Sequence, residues 1–269
     1  MLQLNGSWRG GLLVPAFFQP DTAAADWRRL IGAVGPECAV VLNVDGGAGP
    51  RPAAKLQWMV QQLKYAGARV LGYVDTCHGR CARELVYREL VRHRAWYRVD
   101  GVFFDRVQGT ENRLPLYRQL AGMSRSADCA WVVLNTAGYP HPRYLDFADL
   151  VLPFEGPMKP HENLHVPAWA EQLPRERFGH LVNDTPELMT DQVLRQIATA
   201  NAGWAYVTEQ RGWHPWHKLA MTLHQQLSAV RRGVFDPKSP AFGGSRHHQA
   251  TQPLAGVIQG NSVSLPHWS

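Results

Sequence analysis

The chain has little cysteine, four residues in 269, and no spacing that marks a zinc site. Cys38 and Cys129 open apolar runs and read as small core residues. Cys77-His78-Gly79-Arg80-Cys81 sets two thiols around an imidazole but supplies no fourth ligand, which leaves a local disulfide or two free thiols. No metal and no cofactor is expected. No apolar run approaches the ~18 residues of a membrane span. The opening Met1-Leu2-Gln3-Leu4 segment lacks the basic-then-apolar order of a signal peptide. As written the chain is expected in the cytoplasm; a different start would make it secreted or periplasmic. No internal repeat is visible. Acids are outnumbered, 22 against 28 Lys and Arg, giving a net charge of +6 and a pI near 9.3. The excess does not imply nucleic acid, because no nucleic-acid-binding motif accompanies it. Arg80, Arg83, Arg88, Arg92, Arg94 and Arg98 alternate with Glu84 and Glu89 at spacings of a solvated helix face.

What is there is regular. Strand-like runs fall at Gly11–Phe17, Cys38–Val44, Arg69–Asp75, Gly101–Asp105, Ala130–Asn135, Leu150–Glu155, His180–Asn183 and Trp204–Thr208. Helix-like stretches follow most of them: Asp21–Val34, Pro52–Ala66, Arg80–Tyr97, Arg113–Arg125, Pro160–Glu171, Pro186–Ala200 and Trp216–Arg231. Between Asn135 and Leu150, Pro140 and Pro142 break any long helix. Eight such units predict an α/β fold, a (β/α)8 TIM barrel in one domain over residues 1–235. A doubly wound sheet would show a glycine-rich loop after the first strand, where Phe17-Phe18-Gln19-Pro20 stands. Residues 236–269, rich in Pro, Gly, Ser, His and Gln, read as an extended or disordered tail, with His247 and His248 solvated.

In such a barrel the carboxyl ends of the strands line the active face. Those ends carry Asn43, Asp45, Tyr73, Asp75, Asp105, Asn135, Glu155, Asn183 or Asp184, Tyr206 and Thr208, whereas the opposite ends are mostly Gly, Ala, Cys or Val. Burying an unpaired carboxylate in an apolar run such as Val102-Phe103-Phe104 is costly, so Asp105 belongs at the mouth of a site. Two acids on separate strand ends suit glycosidic cleavage, one donating a proton to the leaving oxygen while the other attacks or activates water. Asp105 and Glu155 can face each other; Asp45 and Asp75 also qualify. Tyr73, Tyr139, Trp204, Tyr206, Trp213 and Trp216 lie near predicted strand ends or the loops beyond. Flat rings there can stack on sugar faces, and Trp213 and Trp216, beside His214 and His217, are the leading platforms.

Leu13-Val14-Pro15, Val41-Leu42-Asn43 running into Gly46-Gly47-Ala48-Gly49-Pro50, Val70 through Thr76, Asp100 through Asp105, Val133-Leu134-Asn135, Ala148-Asp149 through Glu155, and Ala205 through Thr208 occur in that order. The ordered set resembles the spherulin-4-like family of (β/α)8 glycoside hydrolases over roughly residues 11–231. The resemblance implies endo-acting, retaining cleavage of α-1,4-linked galactosamine or N-acetylgalactosamine in biofilm and fungal exopolysaccharide, without a metal. It assigns Asp105 as nucleophile and Glu155 as acid/base. Asn43, Asp45, Tyr73, Asp75, Arg106, Asn135, Trp204, Tyr206, Trp213 and Trp216 are then expected to bind the polysaccharide.

One residue departs from the family pattern, which continues Phe-Phe-Asp with a second acid where this chain has Arg106. A cation in reach of Asp105 would favour the ionised form of a nucleophile. It would also make a polycationic galactosamine chain less welcome than an acetylated, neutral or anionic one. Strand alternation alone turns Arg106 away from Asp105, toward the helices. Two alternatives stand beside hydrolysis: a catalytically silent glycan-binding or coat protein on the same barrel, and an unrelated barrel enzyme using Asp75 and His78. Oligomeric state is left open.

Overall fold

The computed structural model describes residues 10–236. The tail reading for 236–269 therefore lies outside the described residues, apart from Asp236. Eight parallel strands close into a barrel in chain order: β1 Gly11–Ala16, β2 Cys38–Leu42, β3 Arg69–Asp75, β4 Gly101–Asp105, β5 Trp131–Asn135, β6 Leu150–Pro157, β7 Phe178–Asn183 and β8 Trp204–Val207. The (β/α)8 expectation is met. Each strand is a short apolar run buried on both faces, the pattern of parallel sheet.

The jacket is α1 Ala24–Ala33, α2 Ala54–Tyr65, α3 Arg83–Tyr97, α4 Leu114–Ser126, α5 Met158–His161, α6 Ala168–Glu171, α7 Thr190–Thr199 and α8 Leu223–Arg231. None of the described helices is long and apolar enough to cross a membrane. The α3–β3 contact depends on a glycine. A Cβ on Gly72 would lie 2.5 Å from the His93 ring, which bonds through Nε2 to the Tyr73 carbonyl at 2.8 Å.

Three expectations fail locally. The stretch Pro160–Glu171 is two single turns, α5 and α6, because Pro167, lacking an N–H, separates them. The last helix starts at Leu223 and not at Trp216. Before it, the N–H of Leu219 turns to Asp26 (3.4 Å) and that of Ala220 to the Tyr206 hydroxyl (2.8 Å), so no helical ladder forms. Arg80 precedes α3, in a tight turn over Cys77–Gly79, and forms no ion pair with Glu84.

Strand β6 carries an irregularity that matters for the site. From Val151 to Phe154 it takes three residues while β7 takes two, Phe178 to His180. Phe178 packs outward against Tyr139 and Trp169, so Val151, its neighbour in register, faces outward too. Strict alternation from Val151 would send residue 155 outward as well. The extra residue, at Leu152-Pro153, resets the phase. Phe154 then meets His161 on the outside and Glu155 turns into the barrel.

Candidate active site

Asp105, the last residue of β4, and Glu155, near the end of β6, meet inside the barrel mouth across β5. Asn135, ending β5, joins them. Its amide nitrogen donates to Asp105 Oδ1 at 2.8 Å and also to Glu155 Oε2. The Tyr73 hydroxyl donates to Asp105 Oδ2 at 2.8 Å, and the Trp216 indole donates to Glu155 Oε1 at 2.7 Å. All four carboxylate oxygens of the pair thus have a donor. The crevice between the two acids is walled by Pro15, Phe17, Phe103, Leu181 and Trp216 and holds about 10 Å³, space for about one water.

Burial, and secondly the nearby Asp105 charge, raise the Glu155 carboxyl above its usual range; the bonds from Trp216 and Asn135 pull it down without cancelling the rise. A carboxyl whose neutral form is favoured beside a second acid is the arrangement a proton donor needs. Trp216→Phe removes one donor to the charged form, so the Glu155 value moves further up. The alkaline limb of a pH–rate profile is expected to shift to higher pH, and an unmoved or lowered limb refutes this role for the indole.

The remaining predicted residues divide. Trp213 is 95% exposed and stacks on His214 at 5.4 Å, and His214 lies 6.1 Å from Phe17, making an aromatic rim. The sequence pattern marks Phe17 only as the end of a strand and His214 only as a neighbour of Trp213; their part in the rim depends on the closure of β1 against β8. Asn43 is half-buried just past β2, its Oδ1 without a hydrogen-bond partner among the described residues. Asp45 is exposed in the turn from Val44 to Gly47. Tyr206 is fully buried and accepts the Ala220 N–H, with its ring 6.1 Å from Trp216; it supports the indole from behind and does not face a ligand.

Trp204 must be removed from the site. It begins β8, at the opposite end of the barrel, is 2% exposed, and packs 5.2 Å from Trp131. A four-residue strand separates its two ends, and the ring belongs to the amino-terminal one.

Arg106 does not turn to the helices, and it acts on Asp105 through its charge alone, without a hydrogen bond. Its φ of +51° turns the chain at the strand end. Its guanidinium then reaches along the rim to Asp75, through Nε at 2.8 Å and through Nη2, and not to Asp105 or the helices. Asp75 also accepts the Cys77 N–H at 2.7 Å, so its carboxylate is held by the protein. Cys77 and Cys81 form a disulfide. Among the described residues no cluster of His, Cys, Asp and Glu is arranged to hold a metal.

Comparison with known proteins agrees with this architecture. The structure is similar to that of Aspergillus clavatus Sph3 in complex with GalNAc, with a TM-score of 0.71 at 21% identity, over 81% of this chain and 96% of that one. A chitinase from Chromobacterium violaceum is also similar, with a TM-score of 0.54 at 12% identity, over 82% and 99% of the two chains. At such identities the likeness establishes the barrel. No curated protein matches the chain. The model of spherulation-specific family 4 matches residues 11–230, nearly the whole barrel, and the chain belongs to that family.

Proposed function

We propose that the chain is a glycoside hydrolase that cleaves within an α-1,4-linked N-acetylgalactosamine or galactosamine exopolysaccharide, such as a biofilm matrix, with retention of configuration. Asp105 attacks the anomeric carbon; Glu155 protonates the leaving oxygen and then deprotonates the incoming water. The observation that carries this reading is the Asn135 amide shared by both carboxylates. Two hydrogen bonds from one nitrogen keep the nearest oxygens of the pair within about 6 Å. That suits a retaining displacement, with its carboxyls about 5–5.5 Å apart, better than an inverting one, at about 6.5–9.5 Å. The substrate class is supported by family membership and by the sugar in the Sph3 complex. Trp213 offers an exposed face for a neighbouring sugar ring.

The test is to incubate the chain with the N-acetylgalactosamine polymer and follow new reducing ends by proton NMR. An α-anomer appearing first, on oligomers of mixed length, is expected. A β-anomer appearing first, or release of single sugars only, overturns the mechanism.

The second reading, a barrel that binds glycan without cleaving it, is favoured by one observation. The crevice between the acids is too small for a sugar ring while Phe17 and Trp216 stand as they do. Saturable binding of the polymer with no reducing ends released would establish it.

A further inference from the structure

A second cavity, about 360 Å³, opens between the loops after β3 and β4, lined by His78, Arg80, Gln108 and Arg113. Each arginine spends its Nε on a neutral oxygen: Arg80 on the Cys77 carbonyl and Arg113 on Gln108 Oε1, both at 3.2 Å. Their terminal nitrogens have no partner among the described residues, and neither side chain is in an ion pair there. Asp75, at the end of β3, is already held by Arg106. The cavity therefore keeps the positive charge of two guanidinium forks uncompensated.

Its position is fixed relative to the nucleophile. The Thr76 N–H donates to the Asp105 carbonyl at 3.1 Å and the His78 N–H to the Arg106 carbonyl at 2.9 Å. From the other loop the Gln108 N–H donates to the Tyr117 hydroxyl at 3.1 Å, which itself lies 3.0 Å from Thr76 Oγ1. The Cys77–Cys81 disulfide closes the turn that carries His78 and Arg80. Two planar forks without an acidic partner among the described residues, carried on backbone that is tied to the catalytic strand end, match the oxygens of an acidic group.

We infer that this cavity is a subsite for an acidic substituent, a uronate carboxylate or a sulfate or phosphate ester, on a sugar unit next to the one cleaved. The inference rests on the hydrolase reading and narrows its substrate: an acidic or fully acetylated chain is accepted, and a polycationic galactosamine chain is repelled.

The test uses calorimetry on the full chain carrying Glu155→Gln, so that no ligand is turned over. The probes are an oligogalacturonate, an N-acetylgalactosamine oligomer bearing sulfate esters, and the same oligomer uncharged. At low salt at least one acidic oligomer is expected to bind about tenfold more tightly than the uncharged one, equivalent to one net charge-assisted contact. Which one does so distinguishes carboxylate from ester. The advantage is expected to shrink as salt is raised, a readout needing no substitution in the cavity, and to vanish with Arg80→Gln and Arg113→Gln together. Equal affinity for all three probes, or an advantage that survives the double substitution, overturns the inference. Failures of the two readings are separable. Cleavage of the uncharged polymer without acidic preference removes only the subsite, whereas arginine-dependent binding without cleavage of any glycan removes only the hydrolase.

Discussion

Glu155→Gln is expected to slow cleavage of the N-acetylgalactosamine polymer by about 10²- to 10⁴-fold, the contribution of a positioned proton donor. Asp105→Asn is expected to be at least as damaging. The two losses differ in kind. An aryl glycoside with an acidic phenol leaves without a proton, so the Glu155→Gln chain should recover its first step on that substrate, and added azide should then carry away the glycosyl group. Asp105→Asn leaves nothing to attack the anomeric carbon and should stay inert on both substrates. Equal losses on polymer and aryl glycoside would reject Glu155 as the acid. Stability moves the other way. Because the folded chain raises the Glu155 carboxyl, the protonated form is the one folding favours. Its contribution is fully present below the ordinary glutamate range and is lost as pH rises through the folded value. The neutral amide escapes that loss, so Glu155→Gln should melt at a higher temperature than the parent at neutral and alkaline pH, and no higher in acid.

Trp204→Ala is expected to cost about 3–5 kcal/mol of stability, a melting point lower by roughly 10 °C for a chain of this size. The ring is 2% exposed against Trp131, and its strand pairs with both β1 and β7, so its loss opens the barrel floor where the closure is shortest. Thermal unfolding followed by circular dichroism reads the effect. Glycan affinity measured well below the new melting point should equal that of the parent. A weakened affinity with unchanged melting would return Trp204 to the binding face.

Periodicity alone was enough for the barrel, because eight apolar runs spaced by amphipathic stretches have few other solutions. The pairing of Asp105 with Glu155 was legible for the same reason: residues at the carboxyl ends of parallel strands share one face. Three features were hidden. Trp204 and Tyr206 sit two residues apart in a strand of four, and aromatic content does not say which end is which. The segment after β8 has helical spacing at Trp216, Leu219 and Leu223, yet its N–H groups bond to side chains from elsewhere in the fold. Arg106 follows a strand whose alternation points it outward, and only its left-handed backbone brings it to Asp75. Each turns on long-range partners or on one dihedral, and neither leaves a local pattern in the residue string.

The additional residue at Leu152-Pro153 makes catalysis depend on spacing as much as on chemistry. A relative that kept every residue of this strand but paired them in strict alternation, without the bulge, would present Phe to the cavity and its glutamate to the surrounding helices. It would look intact in any inventory of functional groups and yet be unable to protonate a leaving sugar. Activity among such barrels is thus decided by register as well as by composition, through the way the residues of β6 ahead of its acid are paired with β7.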